Sequence, residues 1–341
     1  MSAEEPPVKP TIAVTMGDPA GIGPEVIVKA LADDEIAGLA SYVVLGDQGA
    51  FDVQGVRNPL QGVPDTLRCD SHIALEDFAN APPEAIAARR PTTEGGRASV
   101  DYIERAVRMC LAGEADAMVT APISKAALKM AGAPYPGHTE LLADRTGAAR
   151  HAMMFASPRL RVTLVTIHRS LRSVLDTLTP EAVRDAVDLT HRALTDWFGL
   201  DRPRIALAGV NPHASEGGLF GDEEARILEP ALETVRGEGV DCAGPLPADT
   251  VFLRAAEGAF DAVVAVYHDQ GLIPVKLLGF HDAVNLTLGL PIVRTSVDHG
   301  TAYDIAGQAK ADPGSMKAAI RLAVKIAERA KGKGVRNPLG S

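Results

Sequence analysis

The sequence predicts a layered α/β protein with a largely parallel sheet, and three observations carry that prediction. Hydrophobic residues make up 46% of the chain but aromatic ones only 4%, a composition of small aliphatic side chains suited to strands buried on both faces. Short apolar runs alternate along the chain with longer amphipathic ones, the pattern of strands alternating with helices. No internal repeat or low-complexity tract interrupts that alternation.

Taken in order, "TIAVTM" (Thr11 to Met16) reads as a first buried strand, and Pro24 to Ala32 as a helix with proline in its first turn. "YVVLG" from Tyr42 is a second strand, and Asp52 to Pro91 is turn-rich with weak periodicity. Val100, Ile103, Val107, Cys110 and Leu111 recur at helical spacing. "DAMVTAP" (Asp116 to Pro122) is a short strand, and further strands are expected at Ala152 to Phe155, Arg161 to Ile167, Arg204 to Val210, Ala262 to Tyr267, Ala283 to Leu288 and Pro291 to Thr295. Helices are expected over Pro180 to Phe198, Asp222 to Arg236 and Ser315 to Ala330, and the tail "KGKGVRNPLGS" reads as frayed.

With 341 residues the chain is long enough for two domains. A formal net charge of -10 argues against nucleic acid and acidic membranes as partners. Cys69, Cys110 and Cys242 are widely spaced, as expected of buried thiols in a reducing compartment. The start "MSAEEPPVKP" does not resemble a signal peptide, and no apolar run is long enough for a membrane span, so a cytoplasmic location is expected.

Three aliphatic strands end in an imidazole. "RVTLVTIH" stops at His168, "RIALAGVNPH" at His213 and "DAVVAVYH" at His268. Ligands of open α/β sheets bind outside the carboxyl ends of the strands. Any one of these histidines reads as a hydrogen-bonded residue at a loop start, but three together suit a metal with an open position. Nitrogen ligands favour zinc or another transition metal over magnesium. Asp269 and Asp249 are candidate supporting or additional ligands. His138, in "YPGHTELLAD", is either a helix cap or a substrate contact that moves a proton. Lys276, Asn285 and Arg294 lie near strand ends and could converge on an anion, with arginine binding bidentately.

"GDPAGIGPEV" (Gly17 to Val26) follows the first strand, but Pro24-Glu25-Val26 breaks a GxGxxG fingerprint. No GxxxxGK[ST] and no GxSxG occurs, which weakens the P-loop and serine-hydrolase readings. "VDHGTAYDIAGQAKADPGS" (Val297 to Ser315) is by itself a Gly-rich loop opening a helix. It resembles the nucleotide loop of the isocitrate and isopropylmalate dehydrogenases, as "GDPAGIGPEV" resembles their amino-terminal "GDGIGPE" segment. That resemblance implies cofactor contacts from Gly300, Thr301, Ala302, Asp304 and Ile305, with Asp304 binding ribose hydroxyls and selecting NAD. A carboxylate there would repel the 2′-phosphate of NADP.

Taken together, "MGDPAGIGPE", "VTAPISK", "GHTELLAD", "GVNPHASEGGLFG", "GPLPADT", "YHDQG", "VNLTLGLP" and "RTSVDHGTA" resemble the 4-hydroxythreonine-4-phosphate dehydrogenase family of vitamin B6 synthesis, from Thr15 to Gly314. The resemblance implies an isocitrate-dehydrogenase-like fold of two α/β/α domains with the active site in the cleft between them. We expect residues 1–125 with 290–341 to form the nucleotide domain, and 126–289 the metal, substrate and dimerisation domain. It further implies a homodimer, NAD, and a divalent metal (zinc first, magnesium or cobalt as alternatives) held by His168 and His213 of one subunit and His268 of the other. A phosphorylated substrate would meet His138, Thr139, Lys276, Asn285 and Arg294. The implied reaction is oxidation of the C3 hydroxyl of a phosphorylated four-carbon hydroxy acid, followed by decarboxylation. The base stays open among His138, a water near the metal and Lys125, although "APISKAAL" also reads as a helix start.

"HDQGLIPVKLLGF" and "NPHASEGGLFG" resemble a sister branch acting on 4-phospho-D-threonate or 4-phospho-D-erythronate, and relatives that oxidise aromatic cis-dihydrodiols such as the terephthalate diol. Retention of "GHTE" with Lys276, Asn285 and Arg294 favours a phosphorylated substrate. An acyl-phosphate transferase on a related scaffold would need neither NAD nor metal, and a phosphometabolite-binding protein would form no NADH.

Overall fold

The computed structural model describes residues 9–55, 72–279 and 282–332. Cys69, the first eight residues and all but the start of the carboxyl-terminal tail lie outside them. The strands are β1 (Thr11–Thr15), β2 (Ser41–Gly46), β3 (Ile73–Asp77), β4 (Ala117–Thr120), β5 (Ala152–Ala156), β6 (Arg161–Leu164), β7 (Ile205–Ala208), β8 (Cys242–Leu246), β9 (Ala262–Ala265), β10 (Val284–Leu288) and β11 (Arg294–Ser296). The chain divides into two compact units, whose described residues fall within 9–146 with 292–332 and within 147–291.

In the first unit the strand order is β3-β2-β1-β4-β11, parallel throughout. Ile12, Ala13 and Val14 are fully buried, as are all four residues of β4, because a parallel strand is covered on both faces. Helix Thr93–Ala112 packs on β1, β2 and β4. The Thr92 side chain accepts from Gly95 N–H at its start, and Gly113 ends it at φ 73°, a conformation open to glycine.

Residues 126–146, expected in the second domain, belong to the first unit. A Cβ on Gly96 would come within 2.2 Å of the Ala127 carbonyl oxygen, so helix Thr93–Ala112 lies directly against helix Lys125–Met130. Arg145 then pairs with Glu104 of the long helix at 2.7 Å. The segment expected to be turn-rich contains β3, which pairs with β2, and helix Pro83–Ala87.

In the second unit the order is β10-β5-β6-β9-β7-β8. β6, β9, β7 and β8 are parallel. β5 runs antiparallel to both of its neighbours, which departs from the largely parallel expectation. Residues alternate between two cores. Ile205, Leu207 and Val264 join Val183, Val187, Leu228 and Leu232, while Ala206, Ala208, Val263 and Ala265 join Val251, Phe252, Leu272 and Val275. Successive strand side chains point to opposite faces, so helices cover both sides in an α/β/α arrangement. The helix expected at Asp222 begins as a π-turn, Glu224–Leu228, before continuing as Glu229–Gly237. Cys110 and Cys242 are free thiols. No helix among the described residues is long and apolar enough to cross a membrane.

Candidate active site

The three histidine-bearing strands are neighbours. β6, β9 and β7 stand side by side and parallel, so His168, His268 and His213 all emerge from one edge of the sheet. The His168 and His268 ring centroids are 5.6 Å apart. His268 Nδ1 lies 2.8 Å from Asp269 Oδ1. With the proton on Nδ1 and donated to that carboxylate, the Nε2 lone pair is presented outward. His213 instead stacks near Phe220, at 6.2 Å between centroids. Among the described residues no three His, Cys, Asp or Glu side chains are gathered as metal ligands. Asp249 is an exposed residue of helix Ala248–Ala256. The resemblance implied His168 and His213 in one subunit; within this chain it is His168 and His268 whose rings meet. Their imidazole donors, one of them fixed by a carboxylate, fit a transition metal in kind.

Side chains not singled out from the sequence hold this edge. Thr166 Oγ1 donates to the Val266 carbonyl at 2.7 Å. Gln270 accepts from Val266 N–H and donates to the Gly209 carbonyl, both at 2.7 Å. β6, β9 and β7 are thereby pinned where their loops leave. His168 adopts φ 51°, and His213 opens a run through Gly217 in which every φ is positive. Each non-glycine residue in that conformation costs roughly 1–2 kcal/mol, so the run needs support. Buried Glu224 supplies it, accepting from Val210 N–H at 2.8 Å, Asn211 N–H at 2.7 Å and Asn211 Nδ2 at 2.8 Å. Glu224→Ala is expected to cost about 3 kcal/mol of unfolding free energy, because three donors lose a buried acceptor. Glu224→Gln, keeping one acceptor oxygen, should cost about 1 kcal/mol. Denaturant unfolding reads both, and an alanine variant as stable as the parent would remove this role from Glu224.

The first unit gathers a second constellation. Arg294 is 2% exposed, and its Nε and Nη2 donate to Thr120 Oγ1 at 3.1 and 2.8 Å. The Thr120 hydroxyl donates in turn to Ser296 Oγ at 2.9 Å, and Ser296 donates to the Thr120 carbonyl at 3.2 Å. Burial pushes the guanidinium down to about 9, and Glu140 acts in the opposite sense. His138 opens helix His138–Thr146. Burial first, and the charge of Arg294 second, hold its pKa well below the ordinary imidazole value. His138 is therefore neutral at pH 7, and its Nε2 is buried with no protein partner. Thr139 beside it is 2% exposed. The Lys125 Cε lies 4.0 Å from where a Cβ would stand on Gly137, and Glu140 Oε2 lies 3.6 Å from that point. Lys125, His138, Thr139 and Arg294 thus share one region. Lys276 lies in the last turn of helix His268–Gly279, and Asn285 stands on β10 with a buried, unpartnered Oδ1; both belong to the second unit.

The stretch from Val297 is a series of turns, and its helix starts only at Gly314. Gly300 and Asp304 are exposed, while Thr301, Ala302 and Ile305 are half-buried. Asp304 keeps its side chain toward solvent and its carbonyl accepts from Gln308 Nε2.

The first unit thus offers a buried cation beside a neutral imidazole, and the second offers histidines at three adjacent strand ends, side-chain types found in enzymes of the α/β class. Residues 36–323 match the family described as pyridoxal phosphate biosynthetic protein PdxA. The chain is 50% identical to a 4-hydroxythreonine-4-phosphate dehydrogenase of Geobacter metallireducens, over 98% of this chain and all of the relative. It is 47% identical to the D-threonate 4-phosphate dehydrogenase of Salmonella typhimurium, over 93% and 99% of the two chains. A crystal structure of the 4-hydroxythreonine-4-phosphate dehydrogenase of Klebsiella pneumoniae superposes with a TM-score of 0.83 at 43% identity, covering 94% of this chain and 99% of that one. The chain belongs to the PdxA family, as the sequence segments implied. It is a dehydrogenase, and that class uses a nicotinamide cofactor.

Proposed function

We propose that this protein oxidises the C3 hydroxyl of a 4-phosphorylated four-carbon hydroxy acid, 4-phosphohydroxy-L-threonine in the first instance, with NAD as the hydride acceptor. The observation that carries the reading is buried Arg294 beside neutral His138. Arg294, oriented by Thr120 and Ser296, faces the substrate's anionic group in a site of low dielectric, where charge-assisted hydrogen bonds are strongest. Thr139, Lys276 and Asn285 complete the hydrogen bonding to the substrate. His138 Nε2, neutral and without a protein partner, is placed to accept the hydroxyl proton; exposed Lys125 is the other candidate base. Gly300, Thr301, Ala302, Asp304 and Ile305 would hold NAD, which would supply the hydride acceptor for C3. A divalent metal, zinc first with magnesium and cobalt as alternatives, would be held by His168, His213 and His268 and would supply Lewis-acid polarisation of the hydroxyl oxygen. The β-keto acid so formed loses carbon dioxide, its new carbonyl accepting the electron pair.

A homodimer completes this reading. Leu219 and Phe220, next to the His213 turn, are 71% and 47% exposed, and Ile273 and Leu277 on the His268 helix are 59% and 81% exposed. Apolar groups of that size beside polar ligands are suited to cover by a second copy. A monomer in sedimentation at micromolar concentration would remove the dimer.

NADH formation with 4-phosphohydroxy-L-threonine, 4-phospho-D-threonate, 4-phospho-D-erythronate and an aromatic cis-dihydrodiol, with zinc, magnesium or cobalt added, tests the reading. Preference for a sugar-acid phosphate would move the substrate to the branch of the Salmonella relative. Turnover of the diol alone would overturn the phosphate contacts, and no NADH from any of them would overturn the reading itself. Asp304→Arg is expected to weaken NAD and favour NADP, shifting the ratio of their kcat/KM values by about 100-fold. An unchanged ratio would remove Asp304 from the ribose.

A further inference from the structure

The Gly-rich turn after β1, which could pass for a phosphate cradle, has four of its backbone donors already engaged. Asp18 N–H donates to the Pro122 carbonyl at 2.9 Å, Ala20 N–H to Asp18 Oδ1 at 3.0 Å, Gly21 N–H to the Asp18 carbonyl at 3.0 Å and Ile22 N–H to the Thr301 carbonyl at 2.9 Å. A cradle must leave such groups pointing at its ligand. The glycines are also explained without one. A Cβ on Gly21 would come within 2.8 Å of the Thr301 oxygen, and one on Gly23 within 1.9 Å of the Met16 oxygen.

What the turn holds is another part of the protein. The Tyr303 hydroxyl donates to the fully buried Asp18 carboxylate at 2.6 Å. At the far end of the same loop, Glu25 Oε1 accepts from Ala311 N–H and from Lys29 Nζ, both at 2.8 Å. Lys29 Nζ donates as well to the Ala309 carbonyl at 2.9 Å and the Ala311 carbonyl at 2.7 Å. The stretch from Thr301 to Ala311 is thus tied at its start by Asp18 and Ile22 and at its end by Glu25 and Lys29, and Asp304 lies between the ties.

We infer that the turn after β1 and the first turns of helix Gly23–Leu31 form a brace that holds the 301–311 loop in the shape that receives the dinucleotide, with Asp18, Glu25 and Lys29 as positioning residues that do not touch it. This rests on the reading of that loop as the NAD site. A loop tied at both ends binds without first being ordered, so the ties act on cofactor affinity.

The test is calorimetric titration of the full-length protein with NAD, alongside steady-state kinetics. Lys29 is a partly exposed helix residue, its side chain 32% accessible, so Lys29→Met is compatible with folding. It is expected to raise the NAD Kd and KM about tenfold while leaving the KM for the phosphorylated substrate within about twofold. Lys29→Arg, which keeps donors for the two carbonyls, should stay within about threefold of the parent. Glu25→Gln, which retains an acceptor for Ala311 N–H, is the second variant should Lys29→Met not fold, and is expected to weaken NAD by about threefold or more. Lys29→Met with parental NAD affinity, while Asp304→Arg weakens NAD, would overturn the brace alone. Parental affinity in both would overturn the placement of NAD on the loop, and the inference with it.

Discussion

Arg294→Met is expected to lower kcat/KM for the phosphorylated substrate by about a thousandfold, some 4 kcal/mol of transition-state stabilisation. The size follows from burial. Arg294 is 2% exposed and donates twice to Thr120, so on the proposed reading its charge would meet a substrate anion with little water between to screen it. Arg294→Lys should recover little, because a point charge on a flexible stem neither matches the bidentate geometry nor satisfies the Thr120 hydroxyl twice. The measurement is kcat/KM for the phosphorylated substrate and its phosphate-free analogue. An equal loss on both would show that Arg294 does not read the phosphate. A pH effect accompanies it. With its pKa pushed by burial from the ordinary guanidinium value down to about 9, the folded state binds fewer protons than the unfolded state between the two values. Stability therefore rises with pH across that window, and the charge is fully present, at its full cost, below it. A bound anion offsets that cost. Inorganic phosphate should therefore raise the melting temperature of the parent at neutral pH, less above pH 9, and not in Arg294→Met.

The parts of this protein that were legible in the sequence are those encoded locally. Each of the three histidines follows a run of aliphatic residues, and a strand that stops in an imidazole can be read from a handful of positions. That β6, β9 and β7 are neighbours could not be read so, because β7 lies between β6 and β9 in sequence while β9 lies between β6 and β7 in the sheet. The antiparallel β5 was hidden for the same reason: "AMMFA" is as apolar as the parallel strands around it. The close approach of Gly96 to Ala127, which sets helix Lys125–Met130 against helix Thr93–Ala112 in the first unit, is likewise encoded by no periodicity.

Around buried Arg294, the sequence singled out Arg294 and His138 as residue types, but not Thr120 and Ser296, which hold the guanidinium. A threonine at the end of β4 is unremarkable until its burial demands a partner for the hydroxyl. That demand is the signal a closer reading could have used. The left-handed run from His213 was equally silent, since Ala214, Ser215 and Glu216 carry no preference for that region, and the bonds that support it, from Glu224 to Val210 and Asn211 and from Ala214 N–H to the Asn211 carbonyl, are tertiary or turn contacts. Positions set by tertiary constraint leave little local trace.

The same distinction between a group and what holds it sets the expected result at the histidine edge. His268→Ala should weaken zinc binding by more than about 100-fold, with a matching fall in metal retained after dialysis, because it deletes a nitrogen donor. Asp269→Asn leaves the donor in place but replaces the carboxylate that lies 2.8 Å from Nδ1, and should cost between about 10- and 100-fold. His168→Ala should resemble His268→Ala, as its ring centroid lies 5.6 Å from that of His268. His213→Ala is the informative member of the series, since its ring stands apart from the other two within one chain. If a second copy brings the three together, His213→Ala loses zinc as severely as His268→Ala, and zinc tightens the dimer. If His213→Ala keeps parental zinc affinity while the other two lose it, the metal rests on His168 and His268 without it. Parental affinity in His268→Ala would remove the metal from this edge altogether and leave Arg294 and His138 as the centre of the chemistry.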